Sequence, residues 1–418
     1  MLSLAEALSR ILAGVGPLPA ERIPLADAHG RVLAAPVRAA VTLPPWDNAA
    51  MDGYAVRGAD VVLASPERPV RLRVLETVAA GSRPRQVVGE GLATRIMTGA
   101  PMPDGADCVV RVEDTDGGTD AVEIRSARDV GRNVRPRGED LRAGDVALEA
   151  GTQLCGAQLA LLAAIGLRDA EVVRVPRIAI LGSGDELVPA DAADVAHQEG
   201  KIVASNGLAL AALVREDGGR ALELGVVADH PDAIAERARA AEQCDLLVTT
   251  GGASVGAFDY TQAALRTLGL DLDFWRVRVR PGAQTAFGRI SALGDLPWLG
   301  LPGNPVSALV TYERFVRPLL RTLRGEARPH RVPLPAVLDE PVTTGGAATF
   351  LRRARITAGE DGWHACLTGA QGSGLVTSMA RANALVVVPE GVAALPAGAR
   401  VRALALGDDV LHDARPAW

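Results

Sequence analysis

The sequence has few of the residues that build protein-held metal sites and disulfide frameworks. Its four cysteines, Cys108, Cys155, Cys244 and Cys366, lie far apart, and none belongs to a Cys-x-x-Cys pair. The six histidines are equally scattered, without the spacing that places two ligands on one helix face. We therefore expect neither a zinc site, nor a disulfide framework, nor a cage of transition-metal ligands.

Lysine is almost absent, because Lys201 is the only lysine among 44 basic residues. Arginine binds oxyanions through its planar guanidinium group, but it does not release its proton near neutral pH. A general base must therefore be a carboxylate, a histidine or a bound water. The formal net charge of −6 also argues against binding to nucleic acid or to an anionic membrane.

Long apolar runs are missing as well. The longest, at residues 156–167, ends at Arg168 and is shorter than the ~20 residues that span a bilayer. The N-terminus shows no basic stretch followed by an apolar core and a cleavage site. We expect a cytoplasmic enzyme. Its 418 residues are too many for one core, so roughly two to four domains are expected.

The texture of the sequence changes along the chain. Ser3 and Glu6 form a capping box before a short helix. From Pro44 to about Arg142, short β-type runs separated by Gly, Pro and Asp predict an inserted β-rich module. Beyond about Arg324 the helical period ends, and alternating runs predict a small β-domain or barrel.

Strand and helix patterns alternate from Arg177 onward. This alternation indicates a doubly wound parallel sheet with helices on both faces, whose ligands bind beyond the carboxyl ends of the strands. We therefore expect an α/β multidomain protein built around such a sheet. The predicted strands are 178–181, 222–227, 246–248 and 298–301, and the predicted helices are 208–214 capped by Ser205, 232–241, a segment capped by Asp259, and 306–320.

Two glycine-rich turns follow predicted strands. The first is TTGGASVGAFDYT, residues 249–261, and the second is LPGNPVSA, residues 301–308. Glycine turns let backbone N–H groups approach an anion closely, so the pair indicates a phosphorylated substrate. Either turn alone is also compatible with a purely structural role.

Carboxylates lie at the same strand ends. Glu186 in GSGDEL, Asp229 and Asp259 follow three different strands and should line one crevice with the glycine turns. Carboxylates beside phosphates repel them unless a hard cation lies between, and Mg²⁺ prefers one or two carboxylates plus substrate phosphate. Glu186 and Asp229 are therefore the predicted magnesium ligands. Helix capping is the competing interpretation of Glu186 and Asp259, because both precede helical pattern.

Seven stretches carry a resemblance to a known family. In chain order they are PPWDNAAMDGYAVR, RIMTGAPMPDGADCVVRVED, VRPRGEDLRAGD, LGSGDELV, SNG, TTGGASVGAFDYT and LPGNPVSALVTYERFVRP. Together they resemble the molybdopterin molybdenumtransferases, the MoeA-type molybdenum-insertion enzymes, which are similar also to the E domain of gephyrin. The resemblance covers essentially the whole chain. It implies that molybdate displaces AMP from adenylylated molybdopterin, with magnesium present.

The resemblance and the sequence pattern together predict four domains. Residues 44–140 form the β-rich lever domain, inserted into a discontinuous N-terminal linker and dimerisation domain of residues 1–43 and 141–174. The molybdopterin-binding α/β domain spans 175–326, and the small C-terminal β-barrel-like domain spans 327–418. In this family the lever domain faces the substrate domain of a second subunit. This implies a homodimer with a shared active site, with an adenylyltransferase and molybdoenzymes as handover partners.

Site residues carry over where the motifs match. The implied catalytic residues are Asp52, Thr98, Asp140, Glu186, Asp229 and Asp259. The turns and the matching stretches add a substrate-binding set: Ser183, Gly184, Gly251, Gly252, Ser254, Gly256, Arg280, Pro302, Gly303, Asn304, Pro305, Ser307, Arg352 and Ser378. At several of these positions a purely structural role remains open. Asp52 can be a turn former, Arg280 a solvent-facing strand residue, and Arg352 and Ser378 packing residues.

The chain departs from the family pattern in one segment. Where the family commonly has KPGKP, this chain has WRVRVRPGAQTAFG, with Ala283 and Gln284 at the second lysine and proline. Arg280 keeps one positive charge there, but the loss at Ala283 predicts one fewer anion contact. Two other functions remain open: a molybdopterin adenylyltransferase, which normally lacks the DGYA and GED module, and a non-catalytic scaffold like gephyrin.

Overall fold

The computed structural model describes residues 1–189, 191, 200–251 and 257–411, without the side chains of residues 257–259 and 409. Up to residue 174 the elements are short, and α1 begins with the predicted capping box, in which the Ser3 hydroxyl accepts from the Glu6 N–H. These elements are α1 Leu4–Leu12, β1 Ala20–Pro24, β2 Val37–Arg38, β3 Asn48–Ala49, β4 Gly53–Val56, α2 Gly58–Val61, β5 Val70–Val78, β6 Leu92–Ile96, β7 Cys108–Arg111, β8 Ala121–Ile124, β9 Val134–Arg135, β10 Val146–Leu148, α3 Gly156–Ala164 and β11 Asp169–Val173.

A five-stranded sheet in the order β7-β4-β6-β5-β8 forms an inserted module with its own core, which includes the buried Tyr54. Before and after it in sequence, β1 pairs with β11 and β2 pairs with β10, both antiparallel. The chain therefore leaves and re-enters one small unit around the insertion. The predicted domain boundaries remain a prediction.

The middle of the chain alternates strands and helices around one central sheet. Its elements are β12 Arg177–Ser183, β13 Leu187–Val188, β14 Ile202–Val203, α4 Ser205–Glu216, β15 Arg220–Val227, α5 Pro231–Ala238, β16 Leu246–Gly251, α6 Ala257–Thr267, β17 Leu270–Trp275, β18 Val279–Arg280, β19 Ala286–Ile290, β20 Leu296–Pro302, α7 Pro305–Thr311 and α8 Arg317–Leu323, with a π-helical turn at Tyr312–Val316.

The central sheet separates two apolar cores. Its order is β15-β12-β16-β20-β19-β17, and its first four strands are parallel. Alternate residues of β12 point to opposite faces: Ile178 and Ile180 pack with α4 and α7 residues, whereas Ala179 and Leu181 pack with α5 and α6 residues. Helices on both faces bury the strand after its exposed first residue, Arg177, which explains its continuous apolar run.

The C-terminal region is a small closed barrel. Its elements are β21 Pro333–Leu338, β22 Val342–Thr343, β23 Thr349–Gly359, β24 Gly362–Leu367, α9 Val376–Ala380, β25 Ala384–Val388, β26 Ala394–Leu395 and β27 Arg400–Ala405. The order β23-β24-β21-β27-β25 closes through a further pairing of β25 with β23. Strand β18 adds to β23 and thereby connects the barrel to the central region.

Several local expectations were wrong. The sheet is mixed at one edge, because β17 and β19, which the pattern did not predict, run antiparallel to their neighbours. Ser205 is the first residue of α4 and not its cap, since Ala204 precedes the helix without a side-chain cap. Asp259 is the third residue of α6 rather than its cap. The helix expected at 232–241 ends at Ala238 and continues as a 3₁₀ turn.

The structure offers no candidate for a membrane crossing: each helix in the described part of the chain is too short or too polar.

Candidate active site

Four parallel strands end at one level of the central sheet. In register, Ser183 of β12 pairs with Val227 of β15 and with Gly251 of β16, and Gly251 pairs with Pro302 of β20. The loops that follow these residues therefore emerge side by side. Parallel register is what brings together the strand-end residues that the sequence predicted.

Two of the acidic loops are joined directly. The Asp185 carboxylate accepts a hydrogen bond of 3.1 Å from the Asp229 N–H, and the Gly184 N–H donates to the Val227 carbonyl at 3.1 Å. Glu186 is half-buried and precedes the short strand β13, so the helix-capping interpretation of this residue is wrong. Asp185 itself was missed by the sequence argument, although it lies within the quoted GSGDEL.

The Asp229 carboxyl group lies in an environment that disfavours its charge. Burial raises its pKa, and the neighbouring carboxylates of Asp185 and Glu186 act in the same direction, while the Ser183 hydroxyl opposes them only in part. The carboxyl group lies close enough to the Ser183 hydroxyl for this partial effect, yet its buried Oδ1 and the buried Ser183 Oγ have no partner with full hydrogen-bond geometry among the described residues. Crowded carboxylates with an unpaired oxygen favour a cation or a proton at this place.

Glycine lets the loops pack closely against each other at two of the predicted positions. A Cβ on Gly251 would lie 2.7 Å from the Ser183 Oγ, and one on Gly184 would lie 2.8 Å from Glu186 Oε2. Both distances are shorter than ordinary contact. Ser183, Gly184, Glu186 and Gly251 thus form one packed group at the strand ends.

A cavity of about 410 Å³, cavity 1, opens beside this group. Its wall includes Glu186, Gly251, the Gly303–Pro305 loop and the first turn of α4. The Asn206 side chain supports this wall, because its amide donates to Thr250 Oγ1 at 2.9 Å and to the Gly303 carbonyl at 2.7 Å. The charged lining residues of cavity 1 in the described part of the chain are Glu186 and Glu223, both acidic.

A second cavity of about 450 Å³, cavity 2, lies between the central sheet and the barrel. Its charged lining residues in the described chain are Arg280, Arg352 and Arg353, and they include no carboxylate. Asn304 lines both cavities, so the Pro-Gly-Asn-Pro loop forms their common wall. The remaining lining residues include Pro302, Ser307, Ala283, Gln284, Gln371 and Ser373.

Ser378 reaches cavity 2 only through Arg353. The Ser378 hydroxyl accepts a hydrogen bond of 2.6 Å from Arg353 Nε, and both residues are buried. Burial lowers the pKa of the Arg352 guanidinium, and burial together with the charge of Arg352 lowers that of Arg353. Arg353, Gln371 and Ser373 were all missed by the sequence argument, although Arg353 directly follows the predicted Arg352.

The alternating arginines before cavity 2 do not form a regular strand. Arg276 has a left-handed backbone with φ of 73°, and its guanidinium lies 4.1 Å from the centre of the Trp275 ring. Arg278 pairs with Glu390 at 2.8 Å. Of the three arginines only Arg280, an exposed residue at the end of β18, lines the cavity, so its interpretation as a solvent-facing strand residue stays open beside the anion-binding one.

Two of the predicted catalytic residues, Asp52 and Thr98, form a separate hydrogen-bonded pair on the inserted module. The Asp52 carboxylate accepts hydrogen bonds of 2.7 Å from both the N–H and the hydroxyl of Thr98, which hold its pKa below the ordinary value. Asp52, Thr98 and Asp140 are all exposed. No hydrogen bond or ion pair among the described residues links them to either cavity. Tyr54 is buried and donates to the Gly118 carbonyl.

Part of the first glycine turn cannot be placed. Gly252, Ser254 and Gly256 lie outside the described residues, as does the side chain of Asp259. Over the described residues, no group of three or more His, Cys, Asp or Glu side chains has the geometry of a metal cage. Two carboxylates from the protein are therefore the most that this crevice offers a metal from the described chain.

Comparison with known protein families covers most of the chain. The MoeA N-terminal region (domain I and II) matches residues 2–166, a probable molybdopterin binding domain matches 179–322, and the MoeA C-terminal region (domain IV) matches 335–406.

Full-length relatives point the same way. The molybdopterin molybdenumtransferase of a Nostoc species is 38% identical over 390 residues, covering 92% of this chain and 88% of the relative. The Bacillus subtilis protein of the same name is 35% identical, covering 93% and 90%. The crystal structure of a molybdopterin biosynthesis moeA protein from Pyrococcus horikoshii is 27% identical and superposes with a TM-score of 0.83 over 97% of this chain and 100% of that one.

Proposed function

Because this chain belongs to the MoeA family of molybdopterin molybdenumtransferases, we propose that it inserts molybdate into adenylylated molybdopterin and releases AMP. The observation that carries the proposal is the pair of cavities with opposite charge that meet at Asn304. Cavity 1 would take the adenylylated pterin and cavity 2 the free oxyanion. Two substrates that must react are then held on either side of one loop.

Cavity 1 suits a large ligand with phosphate groups. The first residues of α4, which spans Ser205–Glu216, line it, and a helix N-terminus favours negative charge. Its mixture of apolar wall and few polar groups is typical of a small-molecule site. Asn206 and Thr250 would keep the wall rigid, since both are fixed by hydrogen bonds.

The carboxylates at the strand ends are chemically suited to hold magnesium. Asp229 Oδ1 has no partner with full hydrogen-bond geometry among the described residues, and the carboxylates of Asp185 and Glu186 lie close to it. Hard oxygens crowded in this way are the ligands that a divalent cation prefers. Glu186 and Asp229 would hold the ion, with substrate phosphate completing its shell. Bound there, Mg²⁺ would neutralise the charge of the phosphates that approach these carboxylates.

Cavity 2 suits molybdate because its charged groups are all cationic. Arg280 of β18 and Arg352 of the neighbouring strand β23 both line it. Arginine binds tetrahedral oxyanions through paired N–H groups. Ser307 adds a neutral hydrogen-bonding group.

A homodimer with a shared active site forms part of the proposal. Asp52, Thr98 and Asp140 are exposed and unconnected to either cavity among the described residues, which supports a role in the site of a second subunit. Mixing an Asp52→Ala chain with a Glu186→Ala chain tests this. If the sites are shared, random mixing restores about a quarter of the parental rate, because half of the chains pair unlike and each such dimer has one intact site. Failure of the mixture to exceed either variant alone would contradict sharing.

The activity is tested by incubating the protein with adenylylated molybdopterin. Release of AMP that requires molybdate and increases with magnesium supports insertion. Consumption of ATP with unmodified molybdopterin would indicate an adenylyltransferase instead. If the protein binds neither substrate, a scaffold of the gephyrin kind becomes the better interpretation. The proposed handover from an adenylyltransferase and to molybdoenzymes, and a cytoplasmic location, rest on the same family relationship.

A further inference from the structure

Arg353 is an unusual residue in the wall of cavity 2. Its side chain is among the largest fully buried ones, at 0% exposure, yet no carboxylate forms an ion pair with it among the described residues. A buried charge is ordinarily paired, because desolvation without compensation is costly. A fold that keeps an unpaired guanidinium here retains a charge for something other than internal neutralisation.

The guanidinium is held firmly but incompletely. Nε donates to Ser378 Oγ at 2.6 Å, and one Nη group donates to the carbonyls of Ala370 and Gly372 at 3.1 Å each. The other group, Nη1, is buried, and no described residue is its partner. The Gln371 side chain accepts from the Arg353 N–H at 2.9 Å. Arg353 therefore fixes the loop 370–372, whose Gln371 lines the cavity.

We propose that Arg353 is a positioning residue that makes cavity 2 select doubly charged tetrahedral oxyanions over singly charged ones of the same shape. The inference rests on the proposed function, since it takes cavity 2 as the oxyanion site. Arg353 acts through its fixed, uncompensated charge and through the loop that it holds. Arg280 and Arg352 remain the groups that contact the ligand.

The selectivity follows from how charge interactions scale. The attraction between a fixed cation and a ligand is proportional to the ligand's charge, and it is strong where water is excluded. A dianion therefore gains twice what a monoanion gains from Arg353. Packing or hydrogen bonding of the loop would instead affect both ligands equally, because their shapes match.

Calorimetric titration with molybdate and with perrhenate, at constant ionic strength, separates these effects. The parental protein should bind molybdate the more tightly. In Arg353→Gln, molybdate affinity should fall about tenfold and perrhenate affinity about threefold, so the preference shrinks about threefold. Arg353→Lys should retain most of the preference. Arg355→Gln, an exposed neighbour on the same strand that does not line cavity 2, should change neither affinity.

Each outcome decides the question. If a folded Arg353→Gln protein weakens both oxyanions by the same factor, or neither, the inference is wrong while the proposed function stands. If the parental protein binds neither oxyanion, both fail. Should Arg353→Gln not fold by circular dichroism, Arg353→Met, which keeps an unbranched side chain without the charge, serves in its place. It should reduce the molybdate preference about threefold, and an unchanged preference would overturn the proposal.

Discussion

Cavity 1 and cavity 2 are similar in size, about 410 and 450 Å³, but opposite in charge. The charged groups that line the first are carboxylates, and those that line the second are guanidinium groups. Both would receive anions in the proposed reaction. The comparison shows that an arginine cavity attracts a free oxyanion directly, whereas a carboxylate cavity accepts a phosphate only together with a cation.

The largest effect is expected from removing a carboxylate of cavity 1. Glu186→Gln should lower molybdate-dependent AMP release about 100-fold or more at saturating substrate, because phosphate charge is no longer neutralised. Its oxyanion affinity at cavity 2 should be unchanged. The measurement is a steady-state rate at several magnesium concentrations, with Glu236→Gln, an exposed residue of α5, as the control. A folded variant that keeps the parental rate at limiting magnesium would contradict the assignment of Glu186.

The converse change in cavity 2 should affect concentration dependence. Arg280→Gln should raise the molybdate concentration for half-maximal rate about tenfold, since one charge-assisted contact is lost. Binding of AMP should remain parental. Arg278→Gln is the matched control, because this arginine pairs with Glu390 and does not line the cavity. Equal weakening of AMP and molybdate binding would show that the two cavities do not act separately.

The shared wall can be tested through Asn206. Asn206→Ala removes the hydrogen bonds to Thr250 Oγ1 and to the Gly303 carbonyl. The free energy of unfolding should fall by about 1–3 kcal/mol, and AMP affinity should weaken several-fold. Denaturant unfolding and calorimetry measure the two effects, with Glu216→Ala, exposed on the same helix, for comparison. Unchanged stability would mean that the wall does not depend on this side chain.

The smallest effect is expected on the melting temperature when the Asp229 carboxylate is removed. The folded-state pKa of Asp229 is raised. The contribution of this carboxyl group to the free energy of unfolding is therefore lost as pH rises from 3.8 through that folded value. Asp229→Asn removes this loss and should raise the melting temperature at pH 7 by about 1–2 °C without magnesium. The difference should shrink as pH falls toward 3.8. A variant less stable than the parent at pH 7 would show that burial and the neighbouring carboxylates do not destabilise the charged form of Asp229.

The crevice was predictable because strand order and motif position determine it. The apolar runs around Ile178 and Val248 fixed two neighbouring strands, and the turns after them had to share one edge. Gly184 and Gly251 were identified as turn residues, and the contacts show that a larger residue there would displace the side chains of Glu186 and Ser183. Local patterns of this kind are legible without a structure.

Other features depend on tertiary contacts that no local pattern reveals. Arg353 lines cavity 2 only because β18 adds to β23, which brings the barrel against the Pro-Gly-Asn-Pro loop. Asn206 lies in the quoted SNG stretch, yet its bonds to Thr250 and Gly303 join segments far apart in sequence. The edge strand β17 and its neighbour β19 were missed because their short runs carry acidic or glycine residues that break an apolar pattern.

The central claim is that the two cavities receive different substrates on either side of Asn304. The most direct measurement is an anomalous difference map, collected at the molybdenum edge, from crystals soaked with molybdate and AMP. The account predicts a molybdenum peak in cavity 2, between Arg280 and Arg352, with AMP in cavity 1. A molybdenum peak beside Glu186, or AMP among the arginines, would contradict it.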